Sequence, residues 1–189
     1  EDKLKRRGIA GLIFAFKIAG ASSEDGATLE QVYDLTLKAN NNLRTIGVAV
    51  SSCILPEVGK PTFELEKDEI EIGMGIHGEP GIKREKLRKA DLLVDDLCKI
   101  IFEDFELSNN DKVSIMINSL GATPLEELYI VSKRVNEIFS KKDIEIVKSY
   151  VGRYATSLEM AGMSISVLKL EDNLKKALLD HSECPFWIN

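Results

Sequence analysis

The chain has 189 residues, 44% hydrophobic and 30% charged, a soluble globular composition long enough to bury one sizeable core. A net charge of −6 argues against a general grip on nucleic acid, and the basic runs at 3–7 and 83–89 lack interleaved aromatics. Three scattered cysteines (Cys53, Cys98, Cys184) and two histidines give no zinc-ligand spacing, so no metal is expected; reduced thiols fit a cytoplasmic protein.

The apolar run 8–21 is broken by Lys17 and too short to span a bilayer, so no membrane segment is expected. Ile9, Leu12, Ile13 and Phe16 instead predict a buried amphipathic helix over 8–20. Thr28-Leu29-Glu30-Gln31 has the form of a capping box, opening a helix to about residue 43 with Leu29, Val32, Leu35, Thr36 and Ala39 inward. Glu24 and Asp25 read as helix-entry carboxylates. Residues 47–51 read as a short buried strand and 54–61 as a loop. A hairpin is predicted from 62–65 and 69–76, turning through Glu66-Lys67-Asp68.

The next helix is predicted over 86–105, with Ala90, Leu93, Val94, Leu97, Ile101 and Phe105 inward and Asp91, Asp95 and Asp96 solvated. After a buried strand at 112–118, Thr123-Pro124-Leu125-Glu126 predicts a second capping box and a helix to about residue 140, using Leu125, Leu128, Val131, Val135 and Ile138. Strands at 144–151 and 163–170 and a short helix from Asp172 precede the tail Pro185-Phe186-Trp187. Strands alternating with helices, plus one hairpin, imply an α/β fold with a mixed β-sheet packed with helices. No linker or repeat divides it, so one domain over 1–189 is expected.

Chemistry concentrates at 69–81. Ile70, Ile72, Met74 and Ile76 alternate with Glu69, Glu71, Gly73, Gly75 and His77, the pattern of a half-buried strand ending in an imidazole. Glycine weakens a strand, so Gly73 and Gly75 imply space kept clear beside His77, and Gly78-Glu79-Pro80-Gly81 is a turn. A neutral imidazole so placed serves as base or as nucleophile, and spacing does not choose. Glu79 either tunes the ring or faces water and is not read as catalytic. The segment 118–124 joins a strand to a helix N-terminus suited to an anion, although a ligand-free cap accounts for it equally well. Residues 154–157 read as a structural polar turn.

Gly-Ile-His-Gly-Glu-Pro-Gly at 75–81 closely resembles the motif of the dihydroxyacetone kinase K-subunit family. Further matches follow in order at 6–11, 17–21, 51–53 through 59–63, 120–124 and 156–162. They span nearly the whole chain but only the C-terminal half of the family, which implies its C-terminal domain fold with the N-terminal substrate domain absent. The chain opens Glu1-Asp2, as a fragment or processed product would. The resemblance implies that His77 is a covalent substrate anchor, its ring nitrogen adding to the carbonyl of dihydroxyacetone to give a hemiaminal. A terminal hydroxyl then accepts a phosphoryl group, giving dihydroxyacetone phosphate. Binding is expected to weaken as the ring takes up a proton.

No cofactor is implied in this chain; ADP or ATP with Mg would sit on an L-type partner subunit or another domain. A homodimer is also implied. Phe16, Ser119, Arg153 and Ala155 stand where the family usually has His, Gly, Asn and Met. They leave a second reading beside the glycerone kinase or phosphotransferase subunit: a non-catalytic paralogue that senses dihydroxyacetone and acts as coactivator on a transcription regulator.

Overall fold

The computed structural model describes residues 6–77, 79–185 and 187–188. In chain order it forms α1 (Gly11–Glu24), α2 (Leu29–Asn41), β1 (Leu43–Ala49), β2 (Glu69–Ile72), β3 (Lys83–Lys86), α3 (Ala90–Asp104) and β4 (Lys112–Ser119). α4 (Leu125–Ser140), β5 (Glu145–Gly152), β6 (Gly162–Lys169), α5 (Asp172–Leu179), β7 (Glu183–Cys184) and β8 (Trp187–Ile188) complete it. One sheet runs β3-β2-β1-β6-β4-β5. Its ladders are antiparallel except β4–β5, the pair that α4 connects as a crossover. The mixed α/β sheet expected from the sequence is therefore present.

Alternation along the central strands divides the interior. Ile46 and Val48 of β1, Val113, Ile115 and Ile117 of β4 and Met163, Ile165 and Val167 of β6 pack with α3 and α4. Met116 and Leu168 belong to the second cluster, with Phe14 and Ile18 of α1 and Leu174 and Leu178 of α5. Buried hydroxyls on the sheet find partners: Thr45 Oγ1 donates to Ser166 Oγ at 2.8 Å, and Ser114 Oγ to Lys148 O at 3.0 Å. Trp187 anchors the tail by stacking on Tyr150, ring centroids 4.3 Å apart. Phe186 lies outside the described residues.

α1 starts three residues later than predicted and buries a different face. Phe14 and Ile18 are fully buried, whereas Phe16 is 68% exposed. The helix is apolar around much of its girth, so its periodicity fixes no phase. Contact decides it. A Cβ on Gly11 would lie 2.8 Å from Thr45 Oγ1, and buried Lys17 donates from Nζ to Ala177 O at 2.8 Å. Asp25 is the C-cap of α1 and pairs with Lys176, so it does not open a helix.

The capping box of α2 is formed: Thr28 Oγ1 accepts from Gln31 N, and Gln31 Oε1 from Thr28 N. The expected inner face is not, since Ala39 is the buried residue of α2 and Leu29 is 87% exposed. The second capping box is absent. Pro124 is the N-cap of α4, without a side-chain cap bond, and Thr123 Oγ1 accepts from Gly162 N at 2.8 Å instead. Leu125 faces solvent, whereas Leu128, Val131 and Val135 are buried.

The predicted hairpin also has a different partner. Residues 62–65 are not a strand; β2 pairs with β3, whose last residue, Lys86, the sequence pattern assigns to the following helix. α3 begins at Ala90, with Leu93, Val94, Leu97 and Ile101 buried as expected and Ala90 exposed. Asp95 is paired with Arg134, and Asp96 with Arg88.

Candidate functional site in the β2–β3 loop

β2 ends at Ile72, four residues short of the predicted strand, because Gly73 takes φ +80°. The turn switches the chain between core layers: Ile70 and Ile72 belong to the α3/α4 side, Met74 to the α1/α5 side. His77 therefore rides on the loop between β2 and β3, its side chain 81% exposed.

Internal bonds build this loop. Its neck closes through Ile82 N donating to Ile72 O at 2.7 Å. The buried Glu71 carboxylate accepts from Gly81 N at 2.7 Å and from Arg84 Nε at 3.2 Å. Further out, Gly75 N donates to Glu79 O at 3.2 Å. Glu79 Oε2 accepts from the His77 backbone N–H at 3.0 Å, and its Oε1 stands 3.4 Å from His77 Nδ1 and 3.7 Å from Arg7 Nε. Burial works against ionisation of Glu79, but hydrogen bonds from the backbone of Glu79 and His77 and from the His77 ring outweigh it and hold the carboxyl below its usual range.

The glycines keep space clear for the loop itself. A Cβ on Gly73 would lie 2.6 Å from Ile82 Cγ1, and one on Gly75 would overlap the Glu79 carboxylate, whose Cδ lies at 2.7 Å. The space expected beside His77 is thus taken up by Ile82 and Glu79 of the loop. Glu71, read from the sequence as part of the polar face of a strand, and Glu79, read as tuning the ring or facing water, organise the loop. Their signal was a glycine set opposite each carboxylate.

A second concavity, of about 370 Å³, lies where β4 and β5 end, lined by Gly121, Arg153, Tyr154, Thr156 and Leu158. It brings together the two loops at 118–124 and 153–158 that the sequence treated separately. Asn118 ties them: Oδ1 accepts from Tyr154 N and Ala155 N, and Nδ2 donates to Ala155 O at 2.8 Å. The backbone N–H groups of Leu120 and Ala122 are spent on Gly162 O and Met160 O. The loop is thus a brace between strands, and His77 does not line this cleft. Among the described residues no group of three or more His, Cys, Asp or Glu side chains is arranged to hold a metal ion. No helix among them is long and apolar enough to cross a membrane.

The Dak1 domain profile matches residues 1–186. The chain belongs to the Dak1 domain family. It is 47% identical over 167 residues to the dihydroxyacetone-binding subunit DhaK of a PTS-dependent dihydroxyacetone kinase of Listeria innocua, covering 88% of this chain and 51% of that relative. The fold matches the dihydroxyacetone kinase of C. freundii with TM-score 0.82 at 30% identity, covering 95% of this chain and 33% of that one. It likewise matches the dihydroxyacetone kinase operon co-activator Dha-DhaQ with TM-score 0.79 at 30% identity, covering 90% and 52%. This Dak1 chain spans about half the length of the curated relatives it matches.

Proposed function

We propose that this Dak1 chain is the histidine-bearing portion of a substrate-binding subunit of a dihydroxyacetone kinase. His77 anchors dihydroxyacetone as a hemiaminal, and an L-type partner subunit, carrying the nucleotide and Mg, delivers the phosphoryl group. The observation that carries this reading is an exposed imidazole on an internally braced loop, within a family whose relatives include dihydroxyacetone-binding kinase subunits. A carbonyl carbon accepts the lone pair of a neutral ring nitrogen, which gives the site a preference for short ketones over glycerol. The anchor alone does not move the phosphoryl group. By the family resemblance, acid–base groups for the substrate hydroxyl come from the N-terminal domain, and the working unit is a cytoplasmic homodimer.

The full-length protein, supplied with an ADP-loaded L-type subunit and its phosphoryl source, is expected to form dihydroxyacetone phosphate. Its His77→Ala variant is expected to lose the adduct mass and turnover while keeping its fold. Adduct without product, beside a working control subunit, would select the second reading, a sensing coactivator that docks on a transcription regulator. The structural match to the Dha-DhaQ co-activator favours keeping that alternative.

A further inference from the structure

We infer that Glu79 is the positioning residue of the histidine: it fixes the ring tautomer that leaves Nε2 free to attack a carbonyl, and it stabilises the charge that attack creates. The inference deepens the anchor reading of His77 and rests on it for its functional consequence.

Three observations converge on Glu79. Its carboxylate is held in place, since Oε2 accepts from the His77 backbone N–H at 3.0 Å and Oε1 stands 3.7 Å from Arg7 Nε. Oε1 lies 3.4 Å from His77 Nδ1, a separation that shortens readily when the ring gains charge, as apo-site hydrogen bonds often do. Space for the carboxylate exists because residue 75 has no Cβ. A carboxylate is acceptor only, so it selects the imidazole form with the proton on Nδ1. Nε2 then carries the lone pair, on a side chain that is 81% exposed.

The covalent step balances as follows. The Nε2 lone pair forms the N–C bond, and the carbonyl π pair moves to oxygen. The ring becomes an imidazolium with Nδ1–H facing Glu79, the new alkoxide takes a proton from water, and the Nδ1 proton leaves to water by way of the Glu79 carboxylate. One proton enters and one leaves, so the hemiaminal is neutral. Positive charge arises beside a fixed anion, where a charge-assisted hydrogen bond strengthens most.

The test uses the 15N-labelled chain, free and with dihydroxyacetone, with His181→Gln to assign the ring signals. In the unliganded parent the His77 ring is expected to show Nδ1 protonated and Nε2 bare, and Glu79→Ala to shift the proton toward Nε2. The rate at which the adduct forms, followed by intact-protein mass, is expected to fall about 10-fold in Glu79→Ala and less in Glu79→Gln, which keeps an acceptor but no charge. Gly75→Ala, which displaces the carboxylate without removing it, is expected to reproduce the Glu79→Ala tautomer. An unchanged tautomer in Glu79→Ala, or an undiminished rate of adduct formation, overturns the role of Glu79. Absence of adduct in the parent instead sinks the anchor reading, and the ring tautomer alone then judges Glu79.

Discussion

Gly121 shows how much a single backbone position carries. Its φ is +148°, and the Leu158 carbonyl is packed where a Cβ would stand. Leu158 itself sits at φ +49°, so the backbone strain of this contact is held at Leu158, while Gly121 adopts its φ freely. Gly121→Ala is therefore expected to destabilise the protein by about 1–3 kcal/mol, measured by urea unfolding. His77 is the opposite case: its side chain is 81% exposed, so its removal should leave that midpoint unmoved. A cost below the error of the measurement at Gly121 would show that the loop relaxes, and that the brace between β4 and β5 is looser than the contacts indicate.

Among the elements, Thr123 separates two roles that its sequence context confuses. Ahead of Pro-Leu-Glu it has the pattern of a helix cap, yet its hydroxyl ties the first residue of β6 to the start of α4. Thr123→Val leaves the buried Gly162 N–H without an acceptor and is expected to cost about 1–3 kcal/mol, with faster hydrogen exchange at the Gly162 amide. Thr123→Ser should restore both. Faster exchange at the first amides of α4, with Gly162 unchanged, would return Thr123 to the cap role. α2 teaches the complementary lesson: its capping box depends on neighbours within four residues and forms as written, while its inward face depended on packing and does not.

Across the whole molecule, carboxylates paired with guanidinium and ammonium groups join distant segments. Asp104 at the end of α3 receives Arg6 from ahead of α1 and Arg44 from β1, and Asp95 of α3 is gripped by Arg134 of α4. Burial opposes ionisation of Asp104, but the two guanidiniums outweigh it; the hydrogen bonds of Arg134 lower Asp95 directly. Depressed carboxyls give stability that is present above their unfolded values and is lost as pH falls through the folded ones. The urea midpoint is thus expected to hold near neutrality and to decline below about pH 4, with Asp104→Asn removing part of that slope. A midpoint that rises on acidification would exclude these pairs as contributors.

The sequence by itself determined what is local or periodic: the buried strands β4 and β6, the inner face of α3, the Thr28 box and the mixed α/β class; the turn expected at 78–81 includes Gly78, which lies outside the described residues. The residues at 75–81 also pointed to the family that the comparisons then established. Only the tertiary structure decided which strand β2 pairs with, because 62–65 and 83–86 both follow or precede turns, and pairing depends on what the neighbouring layer buries. It also decided the phase of α1, whose apolar surface extends around the helix and is oriented by the close approach of Gly11 to β1. The loop of His77 belongs to both accounts. Its histidine and glycines are visible in the sequence, but the carboxylate filling the space at Gly75 is placed by a chain reversal that no alternation of side chains encodes.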